Sequence, residues 1–196
     1  MDRTTRPLVI ASAFGGSLLV GLLLMFWALG GVKGVATPVA IGGPFQLTDQ
    51  SGAAVTEKSL QRRPTLIFFG FTHCPDVCPT SLFEISEVLR AMGTDADRVN
   101  AYFISVDPER DNAQAMKDYL SSFDPHLKGL TGDPATVAKV ISEYRVYAKK
   151  VPLKDGDYTM DHTALVYLMD RDGKFVAPFN LKRSPDEAAA DLKHYL

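Results

Sequence analysis

The 196-residue sequence predicts an α/β protein: one mixed sheet with helices on both faces, preceded by a single membrane-spanning helix. Three observations predict it. Residues 8–29 contain no charged side chain. Thr65-Leu66-Ile67-Phe68-Phe69-Gly70-Phe71 is a continuous run rich in β-formers, as expected of a strand buried on both faces. From there to the C-terminus, strand-like and helix-like segments follow one another between Pro, Gly and Asp punctuation.

At about 1.5 Å per residue, the run 8–29 can cross a hydrocarbon core of about 30 Å. Arg3 and Arg6 precede it and only Lys33 follows closely, so residues 1–7 are expected in the cytoplasm and the remainder outside. A cleaved signal peptide is the alternative, but its apolar region would be about 7–15 residues and would end at a small-residue site. Residues 30–43, rich in Gly, Ala, Val and Pro, are expected to tether the anchor to a domain over 44–196. That length suffices for a core of its own. The net charge of −2, with no basic stripe interleaved with aromatics, gives no reason to expect a nucleic-acid partner.

Within the domain, Phe45–Thr48 and Ala54–Thr56 flank Asp49-Gln50-Ser51-Gly52 and predict a small hairpin. After the strand at 65–71, Leu82, Ile85, Val88 and Leu89 mark a helix that stops at Gly93. Val99–Val106 is the next strand. Ala113, Met116, Tyr119, Leu120 and Phe123 line a second helix, and Pro134 opens a third with Val137, Val140, Ile141 and Tyr144 on one face. Val146–Val151 is expected as a strand, then a polar loop through 155–157. Thr163–Met169 and Lys174–Ala177 predict a hairpin turning at Asp170-Arg171-Asp172-Gly173, and Pro185–His194 a last helix. A thioredoxin-like fold with an N-terminal hairpin extension and an inserted segment accounts for this order.

The only two cysteines lie in Phe71-Thr72-His73-Cys74-Pro75-Asp76-Val77-Cys78-Pro79, at the strand-to-helix corner where thioredoxin-like domains present reactive sulfur. The spacing is Cys-x-x-x-Cys, which suits a soft metal as well as a disulfide. A bridge closing so short a loop would remove little chain entropy, so chemistry is a better reason for the pair than stability. With Pro79 at the first helical position, Cys78 would be the cap, and backbone N–H groups and the helix dipole would lower its thiol pKa. Two thiolates call for a third ligand. His162, in Met160-Asp161-His162-Thr163, precedes a buried-looking strand and faces the first helix in such a sheet; His73 is the local rival, and His126 and His194 sit near helix ends. Asp161 is a candidate to orient the His162 ring, Asp76 a weak extra ligand or a cap, and Asp107, Arg110 and Asp111 loop-fixing or partner-facing residues.

Three motifs together, Phe71–Pro79, then Ser105-Val106-Asp107-Pro108-Glu109-Arg110-Asp111, then Asp161-His162-Thr163 with Tyr167-Leu168-Met169-Asp170, resemble the Sco/SenC family in family order. The resemblance covers nearly everything after the tether. It implies a membrane-anchored copper protein that assists assembly of cytochrome c oxidase, with copper ligands at Cys74, Cys78 and His162. The implied partner is oxidase subunit II, with other copper chaperones or thioredoxin-like reductants as further partners. The expected anchor fits a bacterial inner membrane with the domain facing the periplasm; a mitochondrial homologue would have the same soluble domain, but the N-terminus does not read as an Arg- and Ser-rich transit peptide. The donor set agrees: thiolates select copper(I) and imidazole suits both copper oxidation states, whereas structural zinc usually has four protein ligands. The competing function is a thiol–disulfide reductase that keeps the target's cysteines reduced through Cys74 and Cys78. A thiol peroxidase lacks a convincing constellation around a single Cys.

Overall fold

The computed structural model describes residues 19–27, 40–154 and 156–196. Residues 19–27 are helical and expose Leu19, Leu22, Leu23, Leu24, Met25, Phe26 and Trp27. Among the described residues no helix is long and apolar enough to cross a membrane. The rest of the expected anchor, and residues 30–39 of the tether, lie outside the described residues. Ala40–Leu196 forms a unit of its own. Its first residues already belong to it: Gly42 N–H donates to the Glu143 carbonyl at 2.9 Å, and Ile41 packs on the core.

A seven-stranded mixed sheet organises this unit. Strands β1 (Gln46–Asp49) and β2 (Ala54–Thr56) form the expected hairpin, turning at Gly52 with φ 87°. The run after Pro64 becomes β3 (Thr65–Gly70), every residue of it buried. Its apolarity follows from its place, because it pairs in parallel with β4 (Asn100–Ser105) and antiparallel with β8 (Val166–Met169). Strand β9 (Phe175–Pro178) closes that side, and with β5 (Leu127–Thr131) the order is β2-β1-β5-β4-β3-β8-β9.

Strand β5 (Leu127–Thr131), between β4 and β1, was not expected from the sequence. It is five residues long and contains Lys128 and Gly129, both poor strand formers, so its intrinsic signal is weak. Packing explains the glycine: a Cβ at Gly129 would lie 2.8 Å from Leu120 Cδ1 and 2.9 Å from Met116 Cε.

Four helices cover the sheet among the described residues: α1 (Val77–Met92), α2 (Ala113–Leu120), α3 (Pro134–Glu143) and α4 (Pro185–Lys193). The starts of the last three are chemically marked. Asn112 caps α2, Asp133 caps α3 with Pro134 behind it, and Ser184 with Glu187 forms a capping box on α4. Side chains alternate along β3, so Phe68 and Gly70 share one face and Phe69 the other. Cys78 of α1 packs at Gly70, and Tyr119 of α2 lies against Phe103, which stacks on Phe68. Tyr144, just past α3, lies 5.5 Å from Phe69 on the opposite face.

The inserted segment is a hairpin separate from the large sheet. Among the described residues, strands β6 (Ala148–Pro152) and β7 (Tyr158–His162) pair only with each other, Ala148 opposite His162. Here the structure corrects two expectations. β6 does not join the main sheet, and residues 158–162, assigned to no element between the polar loop at 155–157 and the last hairpin, are strand β7. The main-sheet strand then starts at Val166, not Thr163.

Candidate metal centre

Past Gly70 the chain turns, Cys74 N–H donating to the Phe71 carbonyl at 3.3 Å, and α1 begins at Val77. Cys78 therefore lies inside the first turn, and the expectation that it caps the helix is corrected. Pro79 is tolerated there because the first N–H groups of a helix have no intrahelical acceptor. Asp76 holds the cap position but its side chain makes no capping bond. Instead Cys78 N–H donates to Cys74 Sγ at 3.4 Å, so the positive end of α1 points at the Cys74 sulfur.

The two sulfurs differ in setting. Cys74 is half-buried and Cys78 fully buried, and both are free thiols. Burial pushes the Cys78 thiol well above the usual range, against a smaller lowering from its hydrogen bond with the Phe71 backbone; the nearby Cys74 adds to the rise. The expected lowering at Cys78 is thus reversed, because burial outweighs the helix end. Gly70 makes the space: a Cβ on it would sit 2.7 Å from Cys78 Sγ and 2.7 Å from Phe103 Cε2.

His162 ends β7 with its Nε2 3.5 Å from Cys78 Sγ and its Nδ1 3.1 Å from the Thr163 carbonyl. A carbonyl only accepts, so Nδ1 carries the proton and Nε2 presents its lone pair to the sulfurs. The Phe71 ring meets the imidazole edge-on at 5.7 Å and 90°, and Phe68 lies 6.3 Å away. Among the described residues, Cys74, Cys78 and His162 are a group able to hold a metal ion, their donor atoms all within 4.8 Å of one another. Ligands at about 2.0–2.3 Å from one metal lie about 3.3–4 Å from each other, so the 3.5 Å between Cys78 Sγ and His162 Nε2 suits two ligands of one ion.

The rivals fall elsewhere. His73 is half exposed and directs Nδ1 to Thr72 Oγ1 at 3.0 Å. Asp161 sits opposite Lys149 on the hairpin and faces solvent; the Thr163 carbonyl does the orienting expected of it. Successive strand residues point to opposite sides, which separates Asp161 from the ring of its neighbour. His126 lies between Asp124 at 2.7 Å and Asp97 at 3.2 Å, and His194 follows α4.

Asp107, Arg110 and Asp111 fix loops. Buried Asp111 accepts from Thr72 Oγ1 at 2.6 Å, Thr72 N–H at 3.2 Å and Ser105 Oγ at 2.7 Å. Asp107 accepts from Arg110 Nε at 2.5 Å and from the Tyr158 hydroxyl at 2.9 Å. Thr72, Ser105, Tyr158 and Thr163 were missed as supporting residues; Thr72, Ser105 and Thr163 lie within the three motifs, whereas nothing in the sequence marked Tyr158.

A family model described as SCO1/SenC matches residues 34–196. The chain belongs to the SCO1/SenC family. Among solved structures it is similar to Bradyrhizobium japonicum ScoI with copper bound, at 82% identity and a TM-score of 0.79, covering 80% of this chain and 100% of that one. The mitochondrial SCO1 homolog 1 of Arabidopsis thaliana is 45% identical over 145 residues, 72% of this chain and 42% of that protein. The mitochondrial SCO1 homolog of Homo sapiens is 36% identical over 97% of this chain and 66% of its own length. The chain thus spans less than half of the Arabidopsis relative and about two thirds of the human one. The thioredoxin-like α/β fold of the SCO1/SenC family is the fold observed in Ala40–Leu196.

Proposed function

We propose that this SCO1/SenC protein is a membrane-anchored copper metallochaperone that binds copper through Cys74, Cys78 and His162. It helps assemble the dinuclear copper site of cytochrome c oxidase. The observation that carries the proposal is the meeting of two sulfurs and one imidazole nitrogen within 4.8 Å. Two soft thiolates and one nitrogen are a copper(I) set that can add a ligand on oxidation. The structure of Bradyrhizobium japonicum ScoI with copper bound, so similar to this chain, supports copper over zinc.

The differing burial of the sulfurs suggests a division of labour. Buried Cys78 and the His162 ring form the fixed side of the site, while half-buried Cys74 is where an incoming partner thiolate can exchange. A buried thiol with a raised pKa keeps its proton until a metal displaces it from the sulfur into solvent, so loading should release protons and weaken as pH falls. Residues 8–29 anchor the domain on the periplasmic side of the inner membrane, and the tether raises its effective concentration near oxidase subunit II. Other copper chaperones or thioredoxin-like reductants serve as donors.

The paired free thiols also favour a second reading, a thiol–disulfide reductase. The Cys74 thiolate would attack a target disulfide to form a mixed disulfide, and Cys78 would displace the reduced target, leaving a Cys74–Cys78 bridge. A buried, high-pKa Cys78 is a slow resolving thiol, which favours the metal role. His162→Ala separates the two. The variant should keep a titratable dithiol yet fail to support oxidase copper content in cells at low copper. Full oxidase copper with a variant that binds none would favour the reductase.

A further inference from the structure

The halves of the metal centre come from segments that the large sheet does not join. The sulfurs sit on the β3–α1 corner; the nitrogen ends a two-stranded hairpin that is paired only with itself. An isolated hairpin is marginal in water, so β6–β7 needs outside support to hold His162 at 3.5 Å from Cys78. At its base it has local ties: Thr163 N–H donates to the Tyr147 carbonyl, and Tyr147 N–H to Thr163 Oγ1, each at 2.9 Å. Ala148 and Met160 pack on the core, and the polar support along its length comes from one short loop, residues 107–111 after β4.

We propose that this loop is a bracket that sets the sulfur–nitrogen bite of the copper site, with Arg110 as its main positioning residue and Tyr158 as its grip on the hairpin. The inference rests on the copper reading above. On the nitrogen side, Arg110 Nη1 donates to the Tyr158 carbonyl at 3.0 Å, and its guanidinium carbon lies 3.8 Å over the Tyr158 ring. Asp107 fixes both partners at once, accepting from Arg110 Nε and from the Tyr158 hydroxyl. Glu109 reaches the same hairpin through Lys150 at 2.8 Å, and Lys150 Nζ in turn lies 4.1 Å from the centre of the Tyr158 ring. On the sulfur side, Asp111 holds Thr72, two residues before Cys74. Arg110 spans the two sides, because it also lies 5.9 Å from the Phe71 ring that packs edge-on against His162. A planar fork that stacks and donates in fixed directions suits this task; a lysine at 110 would keep the charge and lose the directions.

The test uses the full chain in detergent micelles, with copper(I) supplied against a competing chelator and copper(II) read by electron paramagnetic resonance. Arg110→Ala and Tyr158→Phe are compared with wild type, and the ring signals of His162 are followed by NMR in the metal-free protein. Loss of an outer support of this kind typically costs about 10–100-fold in metal affinity. We expect Arg110→Ala to lose affinity in that range, to weaken the nitrogen coupling to copper(II), and to shift the His162 ring signals, with both thiols still titrating. Arg110→Lys should recover only part of the loss. Tyr158→Phe, which keeps the ring, should shift the same readouts by less and carries the test if Arg110→Ala does not fold. Lower thermal stability with unchanged affinity, nitrogen coupling and His162 signals would overturn the bracket. Should wild type bind no copper, the function reading fails by itself, and the metal-free His162 signals still decide whether the bracket holds the ring.

Discussion

Gly70→Ala gives a sharp test of how the copper site is built. The added Cβ would sit 2.7 Å from Cys78 Sγ and 2.7 Å from Phe103 Cε2, where comfortable carbon contacts are about 3.5–4.0 Å. Both neighbours are fully buried, so neither can swing into solvent; each must move, or β3 must bend, by about 1 Å in sum. Overpacking of this kind costs about 1–3 kcal/mol, and two hard contacts place it at the upper end, about 2–3 kcal/mol. For a folded unit of this size each kcal/mol is worth about 2–4 °C, so Tm should fall by about 4–12 °C. The same push displaces a sulfur that lies 3.5 Å from His162 Nε2, so copper(I) affinity should fall as well. The assay is thermal unfolding by circular dichroism beside competitive copper titration. Gly52→Ala serves as the control, since nothing lies within 4 Å of a Cβ there and any cost comes from its φ of 87° alone. Unchanged Tm and affinity in Gly70→Ala would refute the claim that Gly70 makes the room for Cys78.

Two further outcomes follow from the burial and charge of single groups. In the reduced, metal-free protein, iodoacetamide should modify half-buried Cys74 well before fully buried Cys78, whose thiol burial holds protonated; mass spectrometry showing Cys78 modified first would contradict this assignment of roles. His126 has a raised pKa because Asp124 hydrogen-bonds it, with Asp97 adding to the rise against some opposing desolvation. The stability it adds is whole below the unfolded value of about 6.5 and is lost as pH rises through the higher folded value. Urea unfolding should therefore show stability declining above about pH 6.5 in wild type and less so in His126→Gln, and identical pH dependence in the two would remove this pair from the account.

The parts of the fold legible in the sequence are those where local chemistry and tertiary role agree. β3 shows as an unbroken apolar run because it is buried on both faces, and α3 and α4 announce themselves by Asp133-Pro134 and Ser184-Pro185. β5 was hidden because its place in the sheet comes from pairing with β1 and β4, while Lys128 and Gly129 argue against a strand locally. β7 was hidden by polar Asp161 and Thr159, which a two-stranded hairpin outside the main sheet can afford. The cysteine pair was legible because four-residue spacing at a helix start brings both sulfurs to one corner. What the spacing could not show is that α1 begins at Val77, which buries Cys78 and reverses the expected shift of its thiol. Nor could it show that the carbonyl of the very next residue accepts from the His162 ring, or that Asp107 and Arg110 reach Tyr158, since the latter contacts join residues far apart in the chain.

Copper-edge X-ray absorption of the copper(I)-loaded protein tests the central claim most directly. The account predicts a first shell of two sulfurs and one nitrogen, with the nitrogen lost in His162→Ala and one sulfur lost in Cys74→Ser or Cys78→Ser. A shell without sulfur, or a nitrogen that persists unchanged in His162→Ala, would contradict it.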